Sequence, residues 1–67
     1  MKKFYAVLFG NWHGIGLDDV VDVFYNEEDA ENDCDRRNED CDPDEWYEVR
    51  EWDEEMVKKY WGDYEIS

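Results

Sequence analysis

The sequence predicts a small α+β domain: a three-stranded antiparallel sheet in the order 2-1-3, made by a β-β-α-β-α chain, with an acidic helix on one face and a short C-terminal helix. Three observations lead there. β-branched and aromatic residues concentrate in residues 3–9, 19–25 and 45–52. Asn26 and Asp53, good helix caps, stand directly before two stretches of helical character. Aromatic residues make up 18% of the chain, whereas disordered acidic chains are depleted in them. Sixty-seven residues suffice for one domain, spanning 1–67, with a thin core built from large rings.

Residues 3–9 (KFYAVLF) form a short apolar run suited to a buried central strand. The same run begins like a signal peptide, but it stops at Phe9, and Gly10-Asn11-Trp12-His13 offers no small-residue cleavage site. A first strand and a cytoplasmic protein are the expectation, with Cys34 and Cys41 reduced. No apolar run approaches the roughly 18 residues of a membrane span. Residues 10–18 (GNWHGIGLD) carry three glycines and read as a loop. Residues 19–25 read as a second strand, with Val21, Val23 and Tyr25 on one face, pairing antiparallel with the first.

Asn26 caps a helix expected over residues 27–38, with Asp29 as a short-armed capping-box partner. Glu27, Glu28 and Asp29 fall in the first turn and Arg36 and Arg37 near the last, each favoured there by the helix dipole. Ala30 and Cys34 form a narrow apolar stripe, which Arg37 and Cys41 continue. Cys41-Asp42-Pro43-Asp44 breaks the chain. A third strand follows over residues 45–52, with Tyr47 and Val49 inward. Asp53 caps a last helix over residues 54–61, with Trp52 and Val57 as a hydrophobic staple, Met56, Val57, Tyr60 and Trp61 as its apolar side, and Gly62 as its stop. A right-handed crossover after the second strand docks the third beside the first. The expected core is Phe4, Ala6, Leu8, Val21, Val23, Ala30, Cys34, Tyr47 and Val49, supported by Met56 and Tyr60. Tyr5, Val7 and Phe9 are the alternative inward set of the first strand. The terminal helix is expected at an edge or end of the sheet.

The charge asks for a reason. Asp and Glu number 21 against 7 Lys and Arg, a net charge of −14. Nearly all the acids lie between Asp18 and Glu55, a stretch whose bases are only Arg36, Arg37 and Arg50. Such a chain repels itself on folding. Opposite Ala30 and Cys34 the helix presents Glu28, Glu31, Asp35 and Glu39, and Glu27, Asp33, Asp40, Asp42, Asp44 and Glu45 extend the field. Carboxylates at i, i+4 stand about 6 Å apart in helix rise, and a DNA strand carries a phosphate about every 3.4 Å of rise. A protein surface that binds phosphates with Lys and Arg accepts carboxylates equally well. The expected role is therefore binding to a basic DNA-binding protein, with Glu28, Glu31, Asp33, Asp35, Glu39, Asp40, Asp42, Asp44 and Glu45 as the contact residues.

Other constellations weigh less. Asp40, Asp42 and Asp44 have the 1, 3, 5 spacing of a calcium loop, with Glu48 and Glu51 at positions 9 and 12. Glu45 where Gly belongs, Pro43 inside the loop and the strand pattern of residues 45–52 oppose it. A Ca²⁺-binding module using Asp40, Asp42, Asp44 and Glu51 remains an alternative function, as does an acidic interaction adaptor. Cys34, Cys41 and His13 are too few for a closed zinc site without a carboxylate. Seven residues of continuous helix span about 10 Å, too far for a disulfide, although Cys41 could fold back if the helix ends near Asn38. Buried free thiols are expected. Trp12-His13-Gly14-Ile15-Gly16 reads as a turn with an exposed His, since nothing supplies a nucleophile elbow and Ser67 is the only serine. Neither catalysis nor a cofactor is expected. Trp12, Trp46, Trp52 and Trp61 cannot all be core in so small a domain, and some belong at the rim as interface anchors.

The small size, the acidity and the β-β-α-β order carrying Val23-Phe24-Tyr25-Asn26-Glu27-Glu28-Asp29-Ala30 resemble small phage-encoded inhibitor proteins. Acidic anti-CRISPR proteins that act as DNA mimics are the nearest in character. The similarity covers about residues 3 to 52. It implies a host-defence nucleoprotein complex, such as a CRISPR-Cas effector, as partner, a monomeric inhibitor, and no direct contact with nucleic acid or membrane.

Overall fold

A computed structural model describes residues 2–62 and Ile66, apart from the side chains of Leu17 and Asp18. The chain runs β1 (Lys3–Asn11), β2 (Gly14–Phe24), α1 (Glu27–Glu39), β3 (Glu45–Asp53) and α2 (Glu54–Tyr60). The three strands form one antiparallel sheet in the order β2-β1-β3. The fold class and strand order read from the sequence therefore hold.

β1 is central and buried on both faces, because its alternating side chains are apolar on either side. Phe4, Ala6 and Leu8 join Val23, Trp52 and Val57 in one core. Val7 joins Phe24, Ala30 and Cys34 in a second, with Tyr5, Val21, Tyr47 and Val49 packed around it. The two inward sets proposed for this strand are thus both inward. α1 covers one face. α2 covers part of the other, inserting Val57 beside Trp52, rather than sitting at an edge. The single expected core accordingly divides into two, and it omitted Val7, Phe24, Trp52 and Val57.

The loop expected at residues 10–18 is mostly strand. β1 and β2 close at Asn11↔Gly14 around a tight turn of Trp12 and His13. The Asn11 Oδ1 accepts a hydrogen bond from the His13 backbone N–H at 2.9 Å, a local side-chain turn. The left-handed backbone needed to re-enter the sheet falls on Gly14, with φ of 114°. Gly10 serves a different purpose: a Cβ there would lie 2.6 Å from Cγ1 of Ile15 and 2.9 Å from Cε2 of Trp46, which close over the strand at that point. Farther along, the register passes from Val7↔Asp22 to Leu8↔Val20, leaving Val21 as an inserted residue. This bulge puts Val21 and Val23 on opposite faces, where simple alternation placed them together.

Both N-caps act as the sequence predicts, while the capping-box bond expected from Asp29 is absent among the described residues. Asn26 Oδ1 accepts from the Glu28 N–H and Asp53 Oδ1 from the Met56 N–H, each at 2.8 Å. Trp52 and Val57 meet as the staple requires. Trp52 is 2% exposed and Trp12 74%. Replacing a buried Trp by Ala costs about 3–5 kcal/mol, against roughly 3–10 kcal/mol of total stability for a domain of this size. Trp52→Ala is therefore predicted to abolish a cooperative thermal transition followed by circular dichroism, whereas Trp12→Ala leaves the midpoint unchanged.

Candidate functional site

α1 is held to the sheet by a narrow stripe. Only Ala30 and Cys34 are buried along it, so polar contacts complete the attachment. Asn38 brackets the backbone of Tyr47 on edge strand β3: its Oδ1 accepts from the Tyr47 N–H at 2.8 Å and its Nδ2 donates to the Tyr47 carbonyl at 3.2 Å. The Cys34 thiol donates to the same carbonyl at 3.2 Å. These bonds satisfy groups that a bare sheet edge would leave open to another chain. Burial, then the charge of Asp35, pushes the Cys34 thiol up from its usual pKa and keeps it a donor. Cys34 and Cys41 are both free thiols, the second only half-buried. The role of Asn38 was not read from the sequence; its one local signal is an amide, a mediocre helix former, in the last turn.

The arginines of the acidic stretch are consumed within the chain. Arg37 Nε donates to Asp33 Oδ2 at 2.6 Å, and Arg36 approaches Asp33 Oδ1 at 3.8 Å. Arg50 donates through two nitrogens to Glu48 Oε2. The bond to Asp33 raises the Arg37 pKa above its ordinary value, and the Arg37 guanidinium also stands over the Tyr47 ring, 5.8 Å from its centre. Asp33, whose side chain is 15% exposed, is an internal brace and not part of an open contact row.

What remains is an exposed acidic face. Glu28, Glu31, Asp35 and Glu39 are solvent-exposed along α1, as are Asp40 at its C-cap and Asp42 and Asp44 in the following turn. None of these enters an ion pair among the described residues. From Glu28 to Glu39 the row extends about 16 Å along the helix. Glu45 is half-buried and bonded to Asp42; that bond, then desolvation and the charges of Asp42 and Asp44, holds its carboxyl above the usual range.

The residues of the calcium reading do not converge. Glu51 lies on β3, where it pairs with Lys3 at 3.1 Å, and about 20 Å of strand separates it from Glu45. Glu48 holds Arg50 and accepts from the Trp46 indole N–H. Among the described residues no group of three or more His, Cys, Asp or Glu is arranged to hold a metal ion. None of the described helices is long and apolar enough to cross a membrane. No family model, curated protein or solved structure matches the chain.

Two predictions follow from these contacts. Asn38→Ala removes both bonds to Tyr47 and lowers stability by about 1 kcal/mol in urea unfolding. Glu45 has a raised folded-state pKa, so its protonated bond to Asp42 contributes stability in acid that is lost as pH rises through that pKa. Glu45→Gln should therefore melt higher than the parent at neutral pH, with the difference vanishing well below the ordinary value of 4.5.

Proposed function

We propose that this protein is a DNA-mimicking inhibitor that occupies the basic DNA-binding site of a host-defence nucleoprotein complex, in the manner of an anti-CRISPR protein, and competes there with target DNA. One observation carries the reading. The three arginines of the acidic stretch are spent on Asp33 and Glu48, while Glu28, Glu31, Asp35 and Glu39 stay exposed and without ion-pair partners among the described residues. Sequence and fold thus combine to leave one helix face unneutralised. A face kept only for solubility has no need to segregate its charge in this way.

The mechanism is competition rather than chemistry. Carboxylates on α1 take the guanidinium and ammonium groups that otherwise hold phosphates, and the field of the whole molecule speeds the encounter. Asp40, Asp42 and Asp44 extend the contact past the helix end. Glu45 lies beside them as the hydrogen-bonded partner of Asp42. The site of action is the cytoplasm of a bacterial host, and one copy of the chain suffices.

The test is a pull-down from a CRISPR-bearing bacterial lysate with tagged protein as bait, at low and high salt and with duplex DNA as competitor. The expected capture is a DNA-binding complex displaced by both salt and duplex. Glu28→Lys/Glu31→Lys/Asp35→Lys, three exposed positions, should lose that capture while keeping its melting transition. A complex held equally well by the triple variant, or indifferent to duplex DNA, refutes the reading.

A further inference from the structure

The hairpin turn between β1 and β2 ends in an indole that the fold does not use. Trp12 is 74% exposed. Its ring stacks on His13, with centroids 3.7 Å apart and planes inclined at 32°. Neither the turn nor the core needs it: the turn is secured by the Asn11 side chain and by Gly14, and Trp12 belongs to neither apolar cluster.

The sheet register determines its neighbours. Asn11 pairs with Glu45 and Gly10 with Trp46, so the hairpin end lies beside the chain that leads from α1 into β3. Trp12 lines an open hollow of about 370 Å³ with Asn11, Asp42, Pro43, Asp44 and Glu45. Among the described residues no Lys or Arg lines it. An exposed indole thus stands over a hollow whose ionisable groups are all carboxylates.

We infer that this hollow receives an arginine side chain of the basic partner, its guanidinium stacked on Trp12 and bonded to Asp42 and Asp44. The chemistry discriminates between the two basic side chains. A guanidinium is planar and weakly hydrated, stacks on an aromatic face and presents a fork matched to carboxylates; an ammonium is a compact, strongly hydrated point charge. Acids alone favour arginine only through that fork. The indole adds a stacking preference, and the charge of the hollow disfavours an acidic occupant. This inference rests on the competitive reading above and adds to it a side-chain preference and a second contact, beyond the helix row.

Octa-arginine and octa-lysine serve as probes, titrated calorimetrically into the full chain at moderate salt. The parent should bind octa-arginine about threefold tighter than octa-lysine, the gain of one exposed stacking contact. Trp12→Ala should reduce that preference by weakening octa-arginine more than octa-lysine, and Trp12→Phe should keep more of it. In a heteronuclear spectrum, the indole N–H signal missing from Trp12→Ala should be the one that octa-arginine moves most. Equal affinity for the two peptides, or a preference unchanged in Trp12→Ala, overturns the arginine hollow. The helix-row reading survives that result if Glu28→Lys/Glu31→Lys/Asp35→Lys still weakens both peptides. Failure of both peptides to bind the parent overturns both.

Discussion

Mutual repulsion among carboxylates is the constraint that every other feature of this molecule accommodates. A net charge of −14 on 67 residues opposes compaction, and the apolar material available to offset it is limited. The chain meets this with rings and with placement. Among the described residues no charged side chain is buried, so the large desolvation cost of a buried carboxylate is not added to the repulsion. Each helix carries acids in its first turn and bases in its last: Glu27, Glu28 and Asp29 against Arg36 and Arg37, and Glu54 and Glu55 against Lys58 and Lys59. These charges sit where a helix dipole favours them, whereas Glu39 and Asp40 close α1 against it.

The same constraint explains why the candidate surface lies on α1. A strand buried on both faces lets one short run of residues serve two cores, so little apolar sequence is needed elsewhere. α1 then docks through Ala30 and Cys34 alone, with Asn38 bracketing Tyr47 at its far end. A helix attached by so thin a stripe offers nearly its whole circumference to solvent. The fold spends its arginines bracing Asp33 and Glu48 instead of neutralising that surface. A rigid acidic row is the outcome, and it is this combination that supports a competitor for phosphate-binding sites.

Much of this was legible in the residues, for physical reasons that can be named. Capping is local chemistry, so Asn26 and Asp53 marked both helix starts, and the acidic face followed from helical spacing once α1 was located. The features missed are those decided by contacts distant in sequence. Three glycines in residues 10–18 read as a loop, although Gly10 is small because Ile15 on β2 and Trp46 on β3, 36 positions away, close over it. Alternation misassigned Val21 because a bulge is a property of the pairing and not of the strand. The staple marked Trp52 as the partner of Val57 but not the depth of its burial, 2% exposed against 74% for Trp12; that arises when α2 folds back over the sheet. In the site, exposure is shared by Glu31 and Asp35 but not by Asp33, because Arg37 reaches it one turn later.

Carboxylates on α1 are proposed to replace phosphates in a partner's basic groove. The most direct measurement is the salt dependence of binding for the purified partner, compared with that of its own duplex DNA under the same conditions. DNA binding to such a groove weakens linearly in log affinity against log salt, in proportion to the phosphates neutralised. The account predicts that this protein's affinity also falls steeply with salt, and that inhibitor and duplex exclude one another at every salt concentration. An affinity that barely changes with salt, or a ternary complex containing partner, duplex and inhibitor together, would contradict it.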